Sequence, residues 1–472
     1  MDKKTSRVTL QFIGALAFLK LALHLVINAF MSYGIFRDEF YYIACSNHLA
    51  LGYVDQPPLS IYLLACSREI FGDSLFAIRI LPALAGGLSV FFTGLIVRKL
   101  GGGKQAIILA GLSVLLAPIQ LAMFSVYSMN SYDILLWTVM AYVIILFIQQ
   151  EKPKWWILLG LLMGLGLMNK IGILWFGFGF FIALLATPLR SHLKTKWPYL
   201  SGMLAFLLFT PFIIWNVLND FAHLEFIRNA SSLKYAGISA KDFILGQVLI
   251  QNPFAVFVWL AGLYYFFFHR EGKNYRILGI IYAVAFFILV INGHSKPEYL
   301  GPAYPMLFAG GAVLMEKVYN RINLRWLKFV LPVLIVSSGI CLAPLTVPVL
   351  PVQTFIKYQN FIKINTNTKN LEGKEQSQLP QFYADRFGWE NMAATVSEVF
   401  RSLSDEEQKK TVIFGQNYGE AGSMEYYREK YGLPTVISTH NNYWFWGYGD
   451  ESAEIYILLG GDEAEHQSHF GQ

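Results

Sequence analysis

Charge is what this 472-residue chain has least of: Asp, Glu, Lys and Arg make up 14% of it, against 55% apolar residues. Soluble domains carry roughly 25% charged residues, so a water-soluble enzyme and a disordered chain are both excluded. Cysteine is almost absent as well. Cys45, Cys66 and Cys341 provide neither metal-ligand spacing nor a disulfide framework. There is no solenoid repeat, no low-complexity tract and no Gly-rich phosphate loop after a strand; "GQNYGEAG" reads as a turn.

What is present instead is a series of long apolar runs and a mean hydropathy of +0.44. The runs lie at roughly 8–31, 76–97, 105–123, 133–149, 155–168, 171–188, 199–218, 254–268, 277–292, 300–315 and 328–350. Many approach or exceed the ~18 residues that cross a bilayer core. The expectation is a polytopic α-helical membrane protein with about eleven transmembrane helices. The first run is long and lacks a small-residue cleavage site before polar sequence, so it reads as a span rather than a signal peptide. Phe, Tyr and Trp reach 16%, as suits lipid-facing helices and their interfaces.

Charge divides the chain in two. Residues 1–350 hold 27 Lys and Arg against 14 Asp and Glu, whereas residues 351–472 hold 10 against 17. Alternating the loops of residues 1–350 gives 18 basic residues on the side of the N-terminus and eight on the other, the C-terminal region excluded. The positive-inside rule then places the N-terminus in the cytoplasm and residues 351–472 outside, in a cytoplasmic (inner) membrane. Because the basic excess is spread over short loops, no nucleic-acid surface is expected. Cytoplasmic loops carry four acids and the outer loops of residues 1–350 ten, five of them from Arg37 to Asp73. Polar chemistry is therefore expected on the outer face.

Beyond residue 351 the pattern changes. "GWENMAATVSEVFRSL" predicts an amphipathic helix with Met392, Val396, Val399 and Phe400 on one face. "TVIFGQN", "PTVIST" and "EIYILLG" predict strands, with a helix over "EAGSMEYYREKY" between the first two. Two domains are expected: a membrane domain over 1–350 and a small α/β outer domain over 351–472.

The first outer loop, 32–75, is not a polar linker. Leu, Tyr, Ile and Ala recur in it at helical spacing, which predicts interfacial helices along the membrane surface. Asp38 and Glu39 stand beside Arg37 just after the first run. Carboxylates at an apolar boundary are solvated helix-start acids or are paired or used. Further on, Pro57 and Pro58 forbid helix at Gln56 and hold Asp55 on a stiff turn.

These features resemble a known family. A "DE" pair with tyrosines after the first span, followed by "GYVDQPPL", is similar to the GT-C glycosyltransferases of family 39. That family contains the protein O-mannosyltransferases and the lipid A aminoarabinose transferases. "MNSYDILLW" resembles the family's Asp at the start of the fourth span, "GLGLMNKIG" its loop lysine, and "GHSKPEYLGPAYP" its K-x-x-Y-x-x-P-x-Y-P element. The tail resembles the extracytoplasmic domain of a bacterial branch, although it closes earlier than related tails and so predicts a reduced domain. One departure is that the aminoarabinose enzymes have an acid–lysine pair before the double proline, where this chain has Asp55 and Gln56.

The resemblance implies a GT-C fold and transfer of a sugar from a polyprenyl-phosphate donor to a lipid, glycan or protein acceptor on the outer face, among membrane lipids. Asp38 occupies the place of the family's base, and attack opposite the phosphate would invert the anomeric centre. Glu39 is either a second catalytic carboxylate or a structural partner. Lys170 is a snorkelling lysine by its surroundings and a phosphate ligand by the resemblance. Lys296, Arg228 and His294 are the other outer cations, with Tyr299 in the same element as Lys296. Asp133 either caps its helix or orients Lys170 or the acceptor. No cofactor is implied, and adjacent rather than convergent carboxylates argue against a metal. A transporter or lipid flippase, and a non-catalytic assembly protein, are the rival classes.

Overall fold

A computed structural model of the chain describes residues 3–31, 33–230, 237–321, 326–363, 378–449, 453–461 and 466–467. The helical bundle starts with α1 (Lys3–Phe30), followed in the loop after the first apolar run by α2 (Arg37–Asn47) and α3 (Leu59–Phe71). Next come α4 (Leu75–Lys99), α5 (Lys104–Leu116), α6 (Pro118–Met123), α7 (Met129–Gln150), α8 (Pro153–Asn169) and α9 (Leu174–Ala186). The bundle continues through α10 (Trp197–Leu218), α11 (Ala222–Asn229), α12 (Ala240–Ile250), α13 (Val256–Phe267), α14 (Arg276–Asn292), α15 (Tyr304–Arg321) and α16 (Leu327–Leu342).

Each of the eleven apolar runs is helical. Among the described residues six helices are long and apolar enough to cross a membrane unaided, or seven if the bent pair Ile171–Ala186 and Pro188–Lys194 counts as one span. The others are short or broken. Pro118 ends α5 because it has no N–H to continue the ladder. The Lys20 ammonium of α1 reaches across to this break, donating to the carbonyls of Leu115 (3.0 Å) and Gln120 (3.2 Å). A buried lysine thus satisfies carbonyls that the interrupted helix leaves open.

Glycines allow the tightest crossing. A Cβ on Gly262 of α13 or Gly311 of α15 would collide with the backbone of Leu307 or Val258, as in small-residue contacts between membrane helices. Loops assigned to one side by charge meet at one end of the bundle. There Glu316 accepts from the amides of Gln105 and Ala106 at the start of α5 (3.0 and 3.2 Å), and Lys317 pairs with Glu271.

After α16 the chain forms α17 (Val352–Phe361), α18 (Gln381–Ala384), α19 (Trp389–Ser402) and α20 (Asp405–Gln408), then β1 (Thr411–Gly415) and α21 (Tyr418–Tyr431). It finishes with β2 (Val436–Ile437), α22 (Tyr443–Trp446) and β3 (Ile455–Leu459). The three strands form a parallel sheet in the order β2-β1-β3, with Ile413 opposite both Val436 and Ile457. Ala393 and Val396 of α19 join Ile413, Met424, Leu433 and Leu459 in its core. The buried face of α19 is thus turned from the expected one: Met392 sits at its edge and Val399 is exposed.

Helix α2 also departs from expectation. It is a helix, but Glu39 through Ser46 are all buried. The reason is the C-terminal part of the chain: Phe40 lies edge-on to Trp389 and Tyr426 and tilted against Tyr427. The segment expected to lie on the membrane surface is packed against α19 and α21.

Candidate active site

Where the helical bundle meets the α/β part of the chain, a cavity of about 1080 Å³ opens. Its wall is assembled from distant pieces of chain, including Asp38, Asp55, Asn130, Lys170, Lys296 and Tyr418. The start of α2, the turn before α3, the start of α7 and the end of α8 contribute to it, together with the segment after α14, the start of α21 and the segment before α22.

The two adjacent acids of α2 go separate ways. The Asp38 side chain is 42% exposed and lines the cavity; Glu39 is 0% exposed and does not. Glu39 accepts from Arg79 Nε at 2.8 Å and Arg79 Nη2 at 2.6 Å, and from the amides of Tyr127 (2.7 Å) and Phe36 (2.8 Å). Burial pushes this carboxyl up, but the Arg79 guanidinium and the two amides outweigh burial and hold it below its ordinary range. All its oxygen capacity is used, so it fixes the first turn of α2 and its link to α7.

Asp38 keeps lighter company. Its Oδ1 accepts from the Tyr418 hydroxyl at 2.8 Å and pairs with Arg37 Nε at 3.4 Å. Asp55 sits, as expected, on the turn between α2 and α3, where α3 begins immediately after the double proline. The Tyr41 hydroxyl donates to Asp55 Oδ1 at 3.0 Å, and Asn442 Oδ1 accepts from the Val54 amide at 2.7 Å.

Lys170 follows the last residue of α8. Its ammonium donates to Asn130 Oδ1 at 2.7 Å, pairs with Asp133 Oδ2 at 3.6 Å and lies 5.2 Å from the centre of the Tyr299 ring. Asp133 is buried and does not cap α7; the Ser128 hydroxyl does. Of the two roles left to it, the geometry shows the contact with Lys170. Asp133 Oδ1 is buried with no hydrogen-bond partner in the described structure.

Lys296 and Tyr299 line the cavity, together with Glu298. Arg228 and His294 are not among its lining residues, although Asn229, next to Arg228, is. No cluster of three or more His, Cys, Asp or Glu that could hold a metal occurs among the described residues.

Sequence reasoning missed Arg79, Tyr418, His440 and Asn442. The last three come from the C-terminal part of the chain, around α21 and α22, and Tyr418 and His440 line the cavity directly. Their only trace in the sequence is a high local density of Tyr, Asn and Trp.

The GT-C, family-39-like resemblance read from the motifs is supported by comparison with known proteins. Residues 55–215 match the model of the dolichyl-phosphate-mannose-protein mannosyltransferase family. In overall structure the chain is similar to the ArnT of Cupriavidus metallidurans, crystallised with undecaprenyl phosphate. The TM-score is 0.60 at 14% identity, over 93% of this chain and 86% of that one. It is also similar to an oligosaccharyltransferase from Archaeoglobus fulgidus, with a TM-score of 0.51 at 13% identity, over 93% and 70% of the two chains.

Among curated proteins, 128 residues are 32% identical to undecaprenyl phosphate-alpha-4-amino-4-deoxy-L-arabinose arabinosyl transferase 1 of Pseudomonas fluorescens Pf0-1. That stretch covers 26% of this chain and 22% of the relative. A longer match, 24% identical over 240 residues, reaches the corresponding protein of Pseudomonas fluorescens Pf-5 and covers 49% of this chain and 36% of that one.

Proposed function

We propose that the protein is a membrane glycosyltransferase that moves a sugar from a polyprenyl-phosphate donor to an acceptor hydroxyl on the extracytoplasmic face of the cytoplasmic membrane. The observation that carries this reading is the cavity itself, which brings the carboxylate of Asp38 together with the ammonium groups of Lys170 and Lys296. The names of the curated relatives support undecaprenyl phosphate as the donor carrier. A lipid, glycan or protein hydroxyl serves as acceptor, and the sugar is a pentose or hexose.

In this reading Asp38 takes the proton of the acceptor hydroxyl. The freed oxygen attacks the anomeric carbon from the face opposite the phosphate, the bond from that carbon to the phosphate oxygen breaks, and the configuration inverts. Undecaprenyl phosphate leaves as an anion, which Lys170 and Lys296 stabilise by charge-assisted hydrogen bonds. Asp133 and Asn130 hold the Lys170 ammonium in place, and Asp55 and Tyr299 complete the polar wall. Glu39 acts in this scheme only by holding α2.

The test uses the full chain purified in detergent and undecaprenyl phosphate carrying 4-amino-4-deoxy-L-arabinose or a hexose, with release of undecaprenyl phosphate read by chromatography. Turnover that is lost in Asp38→Asn supports the reading. Movement of a solute across liposomes without chemical change would establish a transporter instead.

A further inference from the structure

We propose that the outer domain completes the active site, with Tyr418 as the residue that positions Asp38. This rests on the reading of Asp38 as the base. Asp38 is 42% exposed on the first turn of α2, where an unheld carboxylate would sample several rotamers. Its two contacts, with Tyr418 and with Arg37, both fall on Oδ1. No hydrogen bond in the described structure engages Oδ2. One oxygen is therefore anchored while the other remains for an acceptor proton.

The anchor is itself rigid. Tyr418 is the first residue of α21, directly after Asn417, whose side chain caps the helix by accepting from Gly419 and Glu420. The Tyr418 amide donates to His440 Nδ1 at 3.2 Å, and the two rings stack with centroids 5.0 Å apart. On its other side the ring lies 5.1 Å from Tyr41 and carries the Arg37 guanidinium at 5.6 Å. Burial and the neighbouring Asp38 charge push the Tyr418 hydroxyl well above its ordinary pKa, so it stays a donor at neutral pH. Arg37 is tied to the same domain, through its amide to the Asp385 carbonyl (3.0 Å) and through Nη1 to Asp385 Oδ2 (3.3 Å). Both groups that hold Asp38 thus depend on the docked outer domain.

Tyr418→Phe removes the hydroxyl and keeps the ring contacts, so it separates positioning from packing. Two readouts apply to the full chain in detergent. The first is steady-state turnover with the undecaprenyl-phosphate sugar. The second, independent of activity, is the labelling rate of Asp38 by a water-soluble carbodiimide with glycine ethyl ester, read by peptide mass spectrometry with Asp55 as internal standard. The expected result is a fall in kcat of about ten- to a hundredfold, as for small misplacements of a catalytic group, with KM for the donor held and Asp38 labelled several-fold faster. Wild-type kcat, a loss confined to KM, or unchanged Asp38 labelling would each overturn the role of Tyr418 and leave the transferase reading intact. If the wild type turns over neither donor, that reading fails instead; the labelling rate then supports or overturns the hold of Tyr418 on Asp38 by itself.

Discussion

Arg79, in the second turn of the apolar helix α4, grips Glu39 with two hydrogen bonds of 2.8 and 2.6 Å, both side chains almost wholly buried. Removing one partner leaves the other charge uncompensated, at a cost of about 3–5 kcal/mol. Arg79→Met or Glu39→Ala should therefore lower the unfolding midpoint of the detergent-solubilised protein strongly. Asp38→Asn, at a partly exposed carboxylate, should leave the midpoint near wild type while turnover drops by about 10²–10⁴-fold. Equal loss of stability in Asp38→Asn and Glu39→Ala would contradict this division of labour.

The same pair predicts a pH dependence. The folded pKa of Glu39 lies below its ordinary value of 4.5. A carboxyl depressed on folding contributes stability that is fully present above the unfolded pKa and is lost as pH falls through the folded one. Midpoints measured on descent from about pH 6 to about pH 3 should fall more steeply in the wild type than in Glu39→Gln, whose side chain does not titrate. Parallel curves would show that the ion pair is not the acid-labile element.

Asp38, Lys170 and Lys296, which line the cavity, drew notice in the sequence because a charge at the edge of an apolar run is an anomaly that demands a reason, and the family resemblance picked out the same three. Glu39 was half legible. Its neighbour Arg37 is the obvious counter-ion, but the true one lies 40 positions away in the "LFAIRILP" run, and no local pattern announces it. The eleven runs were found because hydropathy alone marks them. Helices α11 and α12 were not, since each is too short and mixed to stand out. Tyr418 and Asn442 act on α2 from about 400 residues away. Such contacts join segments far apart in the chain, so they lie beyond any reading of local spacing.

Lys170 and Lys296 can be tested with undecaprenyl phosphate alone. Each charge-assisted contact to a phosphate is worth about 1.5–3 kcal/mol, so Lys170→Ala and Lys296→Ala should each weaken binding by roughly ten- to a hundredfold. Binding is followed by intrinsic fluorescence or thermal shift in detergent. Because Lys170 also contacts Asp133 and Asn130, Asn130→Ala should weaken binding less than Lys170→Ala does. Wild-type affinity in both lysine variants would make these lysines interfacial anchors.

Orientation in the membrane can be read with single cysteines in a variant lacking Cys45, Cys66 and Cys341. Glu406, in α20, and Lys152, between α7 and α8, are both exposed. On intact cells a membrane-impermeant maleimide should label Glu406→Cys, and should reach Lys152→Cys only after permeabilisation. The reverse pattern would invert the topology and place the cavity on the cytoplasmic side.

The packing of α21 on α2 depends on a small residue. A Cβ at Gly422 of α21 would come within 3.0–3.1 Å of the Phe40 backbone and Cβ. Phe40 is fully buried and bounded by Trp389, Tyr426 and Tyr427, so it can give by a few tenths of an ångström but no more. Alanine here gains up to about 1 kcal/mol of helix propensity over glycine, which offsets a contact only a few tenths of an ångström too close. Leucine adds three more carbons in the same direction, and overpacking of that kind costs about 1–3 kcal/mol. Gly422→Ala should therefore behave much as wild type, whereas Gly422→Leu should loosen the docking of α21 on α2. Hydrogen–deuterium exchange distinguishes the two, since α2 should lose protection in the leucine variant while α7, in the membrane core, keeps it. Asp38 turnover should fall along with α2 protection, because the Tyr418 hydroxyl withdraws with its helix. Full α2 protection in Gly422→Leu would mean that this packing has slack and that its close approach is not what sets Asp38.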